Sequence, residues 1–293
     1  MIELAETLSV DPEVVEMLLR ILVSADYLSC TEGEYDLTDL SRMALLPDSP
    51  VGLTSWVKFN RVHWDIISLM EYALRTGRGV DASRFLESKE DWAVQQLAML
   101  ETARPVAPWV AAQVPIRTGA TRLLDIGGSH GLYGAMICRL NPPMKSTVLD
   151  VTGAVENARK LACLIGIDDI VEYEEGDALK DALVIESLDA VFLGNVVHHF
   201  TPEQNEDLLG RIETALRPDG TVAIWDIRYP EQGSKPDLFS DGFALFFRIS
   251  SSTRCYRESE LARWLVEAGF TDVETHLAPA PTHLLVLGRK RHK

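Results

Sequence analysis

The chain has 293 residues, 46% of them hydrophobic, enough for one ordinary globular domain and a smaller companion. A formal charge of −16 excludes a nucleic-acid partner in the first instance, because a phosphate surface would be repelled. No apolar run is long enough to span a bilayer, the acidic start lacks a signal-peptide layout, and four scattered cysteines without a CxxC pair predict reduced thiols in a cytoplasmic protein.

Asp11 and Pro12 open a helix over EVVEMLLRILVSADYL. Asp11 can cap it, Pro12 fits the first helical position, and Val14, Val15, Leu18, Leu19 and Leu22 form one apolar face. SCTEGEYDLTDLSRMALL then predicts a hairpin centred on Gly33 and a second short helix, an arrangement that resembles a winged-helix module. Glu13 and Glu16 against a single Arg20 suit a major groove poorly, so protein contact or dimerisation is the expected role. Residues 51–112 predict helices only. There His63, Trp64, Trp92, Met99 and Trp109 can line a pocket for a flat apolar ligand, with plain core as the alternative.

The next stretch, Thr121 to Asp150, organises the chain. It reads as a strand (Arg122–Ile126), a glycine-rich turn (Gly127–Gly131), a helix (about Leu132–Leu140) and a strand ending on Asp150. This is the first strand–turn–helix unit of a doubly wound sheet, with Asp150 about 20 residues on, where such folds set a carboxylate against ribose hydroxyls. Ser129 breaks the G-x-G-x-x-G dinucleotide fingerprint. What stands instead is D-x-G-x-x-x-G, from Asp125, Gly127 and Gly131, with Gly128 beside them. An acid before the turn repels a pyrophosphate and suits a cationic ligand. The pattern looks like the first motif of the class I methyltransferases, which bind S-adenosylmethionine.

GAVENARKLACLIGI predicts a helix between Gly153 and Gly166, followed by a short strand finishing on Gly176 and Asp177. Asp177 also suits the N-cap of a helix over ALKDAL. Asp189–Leu193 predicts a buried strand with Gly194–Phe200 at its carboxyl end, and its histidine pair faces the same crevice as the glycine turn if both strands belong to one sheet. Thr201 and Pro202 open an amphipathic helix with Leu208, Leu209, Ile212 and Leu216 inward, stopped by Arg217-Pro218-Asp219-Gly220 before the strand TVAIWDI. Residues 229–260 predict a loop and a helix, VETHLAPAPTHLLVLGRK two edge strands, and GRKRHK a solvated basic tail.

Nearly the whole chain resembles the small-molecule O-methyltransferases, the group of plant phenolic and bacterial antibiotic-tailoring enzymes. The resemblance implies an α/β fold, a doubly wound and mostly parallel seven-stranded Rossmann-like sheet with a mainly helical N-terminal domain. It divides the chain into a winged-helix-like dimerisation module (1–50), a helical linker and substrate lid (51–112), and an S-adenosylmethionine-binding domain (113–293). In that family another helix or more usually precedes the module, which here begins partway through, at IELAETLSV.

Carried over residue by residue, the cofactor would meet Asp125, Gly127, Gly128, Ser129, Gly131, Asp150, Val151, Asp177, Ala178 and Asn195. Where the family has a hydrophobic pair followed by His, Asp and Trp, this chain has Val196-Val197-His198-His199-Phe200. His198 thus falls on the catalytic base position, Asp226 on that of the carboxylate that orients it, and Gly194 where many relatives carry a Lys or Arg. Phe243, Phe246 and Phe247 fall near the acceptor-binding residues, and Arg254 and Arg257 either cap helix ends or hold an anionic acceptor. The implied activity is methyl transfer from S-adenosylmethionine to a hydroxyl of a small aromatic or polyketide-like molecule, in a homodimer that needs no metal, nucleic acid or membrane. The alternatives are carbon or nitrogen methylation on the same fold, a catalytically silent cofactor-binding protein, a nicotinamide dehydrogenase and a winged-helix regulator.

Overall fold

The computed structural model describes residues 2–46, 48–86, 88–251, 253–279 and 282–292. Met1, Pro47, Glu87, Ser252, Ala280, Pro281 and Lys293 therefore lie outside the described residues. The first unit runs α1 (Ile2–Leu8), α2 (Pro12–Ser24), β1 (Leu28–Thr31), β2 (Glu34–Leu37) and α3 (Asp39–Leu45). Asp11 Oδ1 accepts from the amides of Glu13 and Val14, and Pro12 takes the first helical position, as its missing N–H allows. The hairpin closes around Gly33, whose φ of +85° is open to glycine without strain. The apolar face of α2 does not point one way. Val15 and Leu19 pack against Ala5, Leu28 and Tyr35, whereas Val14 and Leu18 are turned outward, 62% and 53% exposed.

The linker comprises α4 (Thr54–Ile67), α5 (Met70–Thr76), a 3-10 turn (Ala82–Phe85), α6 (Lys89–Ala103) and α7 (Ala107–Gln113). Ser88 and Asp91 form a reciprocal capping box at the start of α6. Trp64 is 75% exposed on α4, so the expected pocket role for it does not hold.

The third unit alternates strands and helices: β3 (Arg122–Ile126), α8 (Leu132–Leu140), β4 (Lys145–Asp150), α9 (Thr152–Ile165), β5 (Val171–Glu175), β6 (Leu188–Gly194), α10 (Pro202–Ala215), β7 (Leu216–Ile227), α11 (Leu238–Ser250), α12 (Glu258–Glu267), β8 (Phe270–Leu277) and β9 (His283–Lys290). These strands form a seven-stranded sheet in the order β5-β4-β3-β6-β7-β9-β8. Only β9 runs against its neighbours. The chain leaves β3 toward β4 and β5, then crosses to β6 on the other side, so the switch point lies between β3 and β6. Both faces of the sheet are covered, by clusters centred on β6, β7, α10 and α12 and on α7, α8 and Trp225. No helix among the described residues is long and apolar enough to cross a membrane.

Four expectations are corrected here. The helix opened by Thr201 stops at Ala215, and Arg217 to Gly220 belong to β7, where Asp219 takes φ +62°. ALKDAL forms a turn, not a helix, because Asp181 and Leu179 close it locally on Asp177. The last strand lies between β7 and β8, so of these two strands β8 alone is at an edge, β5 being the opposite one. Finally, Gly288 to Lys290 lie within β9; Lys290 is buried, its ammonium donating to the carbonyls of Glu213 and Leu216 where α10 ends.

Candidate active site

The site is assembled at the carboxyl edge of four adjacent strands. Leu124 and Ile126 bury β3, and the chain leaves it through Gly127 at φ +65°. The Gly127 amide donates to Leu149 O at 2.8 Å, tying the turn to β4. A Cβ on Gly127 would lie 2.8 Å from Val196 Cγ2, so the glycine lets this turn approach the one that follows β6. Gly131 (φ +70°) opens α8, and a Cβ there would meet the Tyr173 hydroxyl at 2.7 Å. Tyr173 in turn donates to His130 O at 3.2 Å, so β5 braces the turn from the far side.

Asp150 is half-buried at the end of β4. Its carboxylate accepts from Ser129 N (2.9 Å) and Val151 N (2.8 Å), each oxygen keeping a lone pair for a ligand. Burial raises its pKa, against those two amides. Val151 stands beside it, exposed, and Gly153 at the start of α9 is covered by the Trp92 ring, 3.0 Å from where a Cβ would stand. Trp92 therefore packs on the start of α9, beside Asp150. Gln96 fastens the same junction through Ala154 O. Asp177 follows β5, accepting from Leu179 N and pairing with Lys180, with Ala178 packed on the main core. Asn195 takes φ +52° after β6; its amide donates to Trp225 O, and its Oδ1 is buried without a partner.

Asp125 departs from its expected place. It is 1% exposed, and a Cβ on Gly128 would touch its carboxyl at 2.5 Å, so it lies beneath the turn and not on the ligand side. Neither oxygen has a hydrogen-bond partner. Burial, and less strongly the charge of Asp150, push its pKa up to about 8 even against the nearby Gly134 amide.

His198 and Asp226 meet. A 3-10 turn (Val197–His199) follows β6, and Asp226 sits near the end of the neighbouring β7. His198 Nδ1 lies 2.6 Å from Asp226 Oδ1, which also accepts Ile227 N. That partner favours the tautomer with the proton on Nδ1 and leaves Nε2 as an acceptor. Phe247 of α11 stacks on the imidazole at 3.8 Å and 27°. His199 is open to solvent yet stands deep among protein atoms; burial, then the neighbouring His198, push its pKa down to about 3 against Asp226. It is therefore neutral at neutral pH.

Around this pair, Phe243, Phe246 and Phe247 form one aromatic group on α11. His63 joins it from α4, edge-on to Phe246, Phe59 and Trp56, with its Nδ1 on Asn60 Oδ1. Burial lowers its pKa. Met99 is half-buried on α6, and Trp109 packs on Trp225 in the core. Arg254 is bound bidentately to Glu260, and Arg257 to Pro230 O over the Tyr229 ring, so both serve the α12 entry. Gly194 has a local reason: a Cβ there would stand 2.7 Å from the Phe192 ring.

Two residues of the site escaped the sequence reasoning. His130 is buried within the turn, its Nδ1 accepting Leu132 N, and burial and Arg104 push its pKa down to about 4. Its place between Ser129 and Gly131 was the available signal. Thr253 donates to His198 O, and no local pattern marks a contact 55 residues away.

A family model described as an O-methyltransferase domain matches residues 70–271. The chain is 30% identical over 173 residues to the tetracenomycin polyketide synthesis 8-O-methyl transferase TcmO of Streptomyces glaucescens, covering 59% of this chain and 50% of that protein. It is 27% identical over 278 residues to the mitomycin biosynthesis 6-O-methyltransferase of Streptomyces lavendulae, covering 91% and 78%. Among solved structures, human N-acetylserotonin methyltransferase in complex with SAM superposes with a TM-score of 0.86 at 23% identity, covering 98% of this chain and 86% of that one. At that identity the likeness establishes the fold.

Proposed function

The chain belongs to the O-methyltransferase domain family, and from that premise we propose that it transfers a methyl group from S-adenosylmethionine to a hydroxyl of a small aromatic or polyketide-like molecule, with His198 as general base. The observation that carries this is the His198–Asp226 pair at 2.6 Å, on the strands beside a glycine turn and a ribose-type carboxylate.

The residues present fit the cofactor. Strands β5, β4, β3 and β6 are consecutive in the sheet, so Asp177, Asp150, the glycine turn and Asn195 line one edge in that order. Buried and unpartnered Ser129 Oγ and Asn195 Oδ1 are polar atoms of the kind a bound ligand satisfies. Asp177 with Ala178 would hold the adenine end, Asp150 with Val151 the ribose, and Gly127, Gly128, Ser129 and Gly131 the amino-acid end. Asp125 would lie below the cation without contact, and because burial pushes its pKa up to about 8 it is mostly protonated at neutral pH until a bound cation draws the proton off. S-adenosylmethionine supplies an electrophilic methyl on a sulfonium, and what the protein must add is an oxygen nucleophile held in line.

His198 Nε2 takes the hydroxyl proton as the oxygen attacks, and Asp226 stabilises the imidazolium while holding its tautomer. His199, neutral and solvent-open, faces the acceptor, and the α11 aromatics with His63 offer it flat apolar walls. The relatives named above are O-methyltransferases of tetracenomycin polyketide synthesis and of mitomycin biosynthesis, which fits such walls. The protein works as a homodimer through the first unit. Val14, Met17, Leu18 and Ile21 form one exposed stripe along α2, at 62%, 55%, 53% and 63% exposure, continued by Leu4 and Leu8 of α1.

The test is S-adenosylhomocysteine release with hydroxylated naphthalenes and anthraquinones as acceptors. His198→Ala should lose about 100-fold or more in kcat while binding S-adenosylhomocysteine unchanged. Unaltered turnover in that variant would remove the base assignment and favour a proximity mechanism.

A further inference from the structure

The base stands on a weak element. A single 3-10 turn has poor internal hydrogen bonds, and here it is three residues long, entered through a left-handed Asn195. Its carbonyls are held from outside. Asn205 Nδ2 donates to Val197 O (3.0 Å) and Phe200 O (3.3 Å), and the Tyr256 hydroxyl also donates to Phe200 O. The carbonyl of His198 itself receives the Thr253 hydroxyl. Thr253 is 8% exposed, and its Oγ1 lies 2.6 Å from Ser251 Oγ, which bonds back to Phe247 O at the end of α11.

Phe247 and Thr253 therefore grip His198 twice, at the ring by stacking and at the backbone by a hydroxyl. Asp226 fixes only one ring nitrogen, a contact about which the imidazole can still tip. A stiff β-branched side chain on the carbonyl removes that freedom. We infer that Thr253 is a positioning residue for His198, an inference that rests on His198 being the base. It touches neither cofactor nor acceptor; it holds the backbone from which the imidazole reaches the cleft, and it does so from just beyond the end of α11, the helix that carries the aromatics. The substitution most diagnostic of this role is Thr253→Val, which keeps the shape and removes the donor.

The experiment follows the low-field proton NMR signal of the His198 Nδ1–H on the full-length protein loaded with S-adenosylhomocysteine, assigned by its loss in His198→Ala and Asp226→Asn. Thr253→Val should shift or broaden that signal, and Thr253→Ser should restore it. With an acceptor that turns over, Thr253→Val should cost about tenfold or more in kcat and leave KM for S-adenosylmethionine within about twofold. An unmoved signal in a folded Thr253→Val protein overturns the inference, with or without an acceptor. If that variant melts below assay temperature, Tyr256→Phe, which frees the Phe200 carbonyl, must move the same signal or the clamp is refuted. Loss of kcat in His198→Ala with full kcat in Thr253→Val would sink the clamp alone. Full kcat in His198→Ala would sink the base beneath it.

Discussion

At the scale of single residues, several polar groups of the site are held where water cannot compensate them. Asp125 is the extreme case, with both oxygens buried and unpartnered under Gly128. Its folded pKa of about 8 exceeds that of the unfolded chain, so the folded protein holds the extra proton. Stability from this group is full below the ordinary aspartate range and declines as pH rises toward about 8. Thermal melts without cofactor, taken from about pH 5 to about pH 9, should fall more steeply for wild type than for Asp125→Asn. Parallel profiles would show that Asp125 keeps its charge through a partner or a buried water. Sequence placed Asp125 at the turn because of its chemistry, but depth below a strand end is set by packing. Gly128 and Gly134 admit the carboxyl into the interior, and spacing carries no sign of that.

At the scale of elements, the strands were legible because each ends in a signal that physics reads locally. Asp11-Pro12 and Thr201-Pro202 open helices as capping requires, and Gly166 closes one in the left-handed conformation. The errors fell where distant partners decide. Lys290 looks like part of a basic tail until β9 carries it to the end of α10, and Arg217 looks like a helix stop until Asp189 claims it. Asp189 is fully buried at the start of β6, joined by Arg117, Arg217 and the amides of Thr121 and Arg122. Burial alone would raise its pKa, but the Thr121 amide, the two guanidiniums and the Arg122 amide outweigh it and hold the carboxyl below the ordinary range. A depressed carboxylate contributes stability above the unfolded pKa and loses it as pH falls through the folded one. Asp189→Ala should therefore cost about 3 to 5 kcal/mol in denaturant unfolding at neutral pH, and the gap should narrow in acid. A loss below about 1 kcal/mol would mean that solvent already screens the two arginines.

At the scale of the whole molecule, the same chemistry is divided among units that meet at one edge. In the proposed reading the sheet carries the cofactor line and His198 with Asp226, α11 carries the aromatic wall, and α2 presents a surface that one chain leaves bare. Leu18→Glu with Ile21→Glu should convert a dimer into monomers by sedimentation, weakening association by more than about tenfold, or about 1.4 kcal/mol. Both side chains are already outside the fold of one chain, so the separated monomer should remain folded. An unchanged dimer would move the interface elsewhere. The helix and the hairpin of the first unit were legible from Asp11 and Gly33, but the outward stripe was not, since Val14 and Val15 are alike in sequence and opposite in space.

The most direct measurement is calorimetric titration with S-adenosylhomocysteine, on wild type, Asp150→Ala and His198→Ala. Binding should be equal in wild type and His198→Ala and weaker by more than about tenfold in Asp150→Ala, separating the cofactor line from the base. A folded wild type that binds nothing, or an Asp150→Ala that binds as wild type does, would contradict the account at its centre.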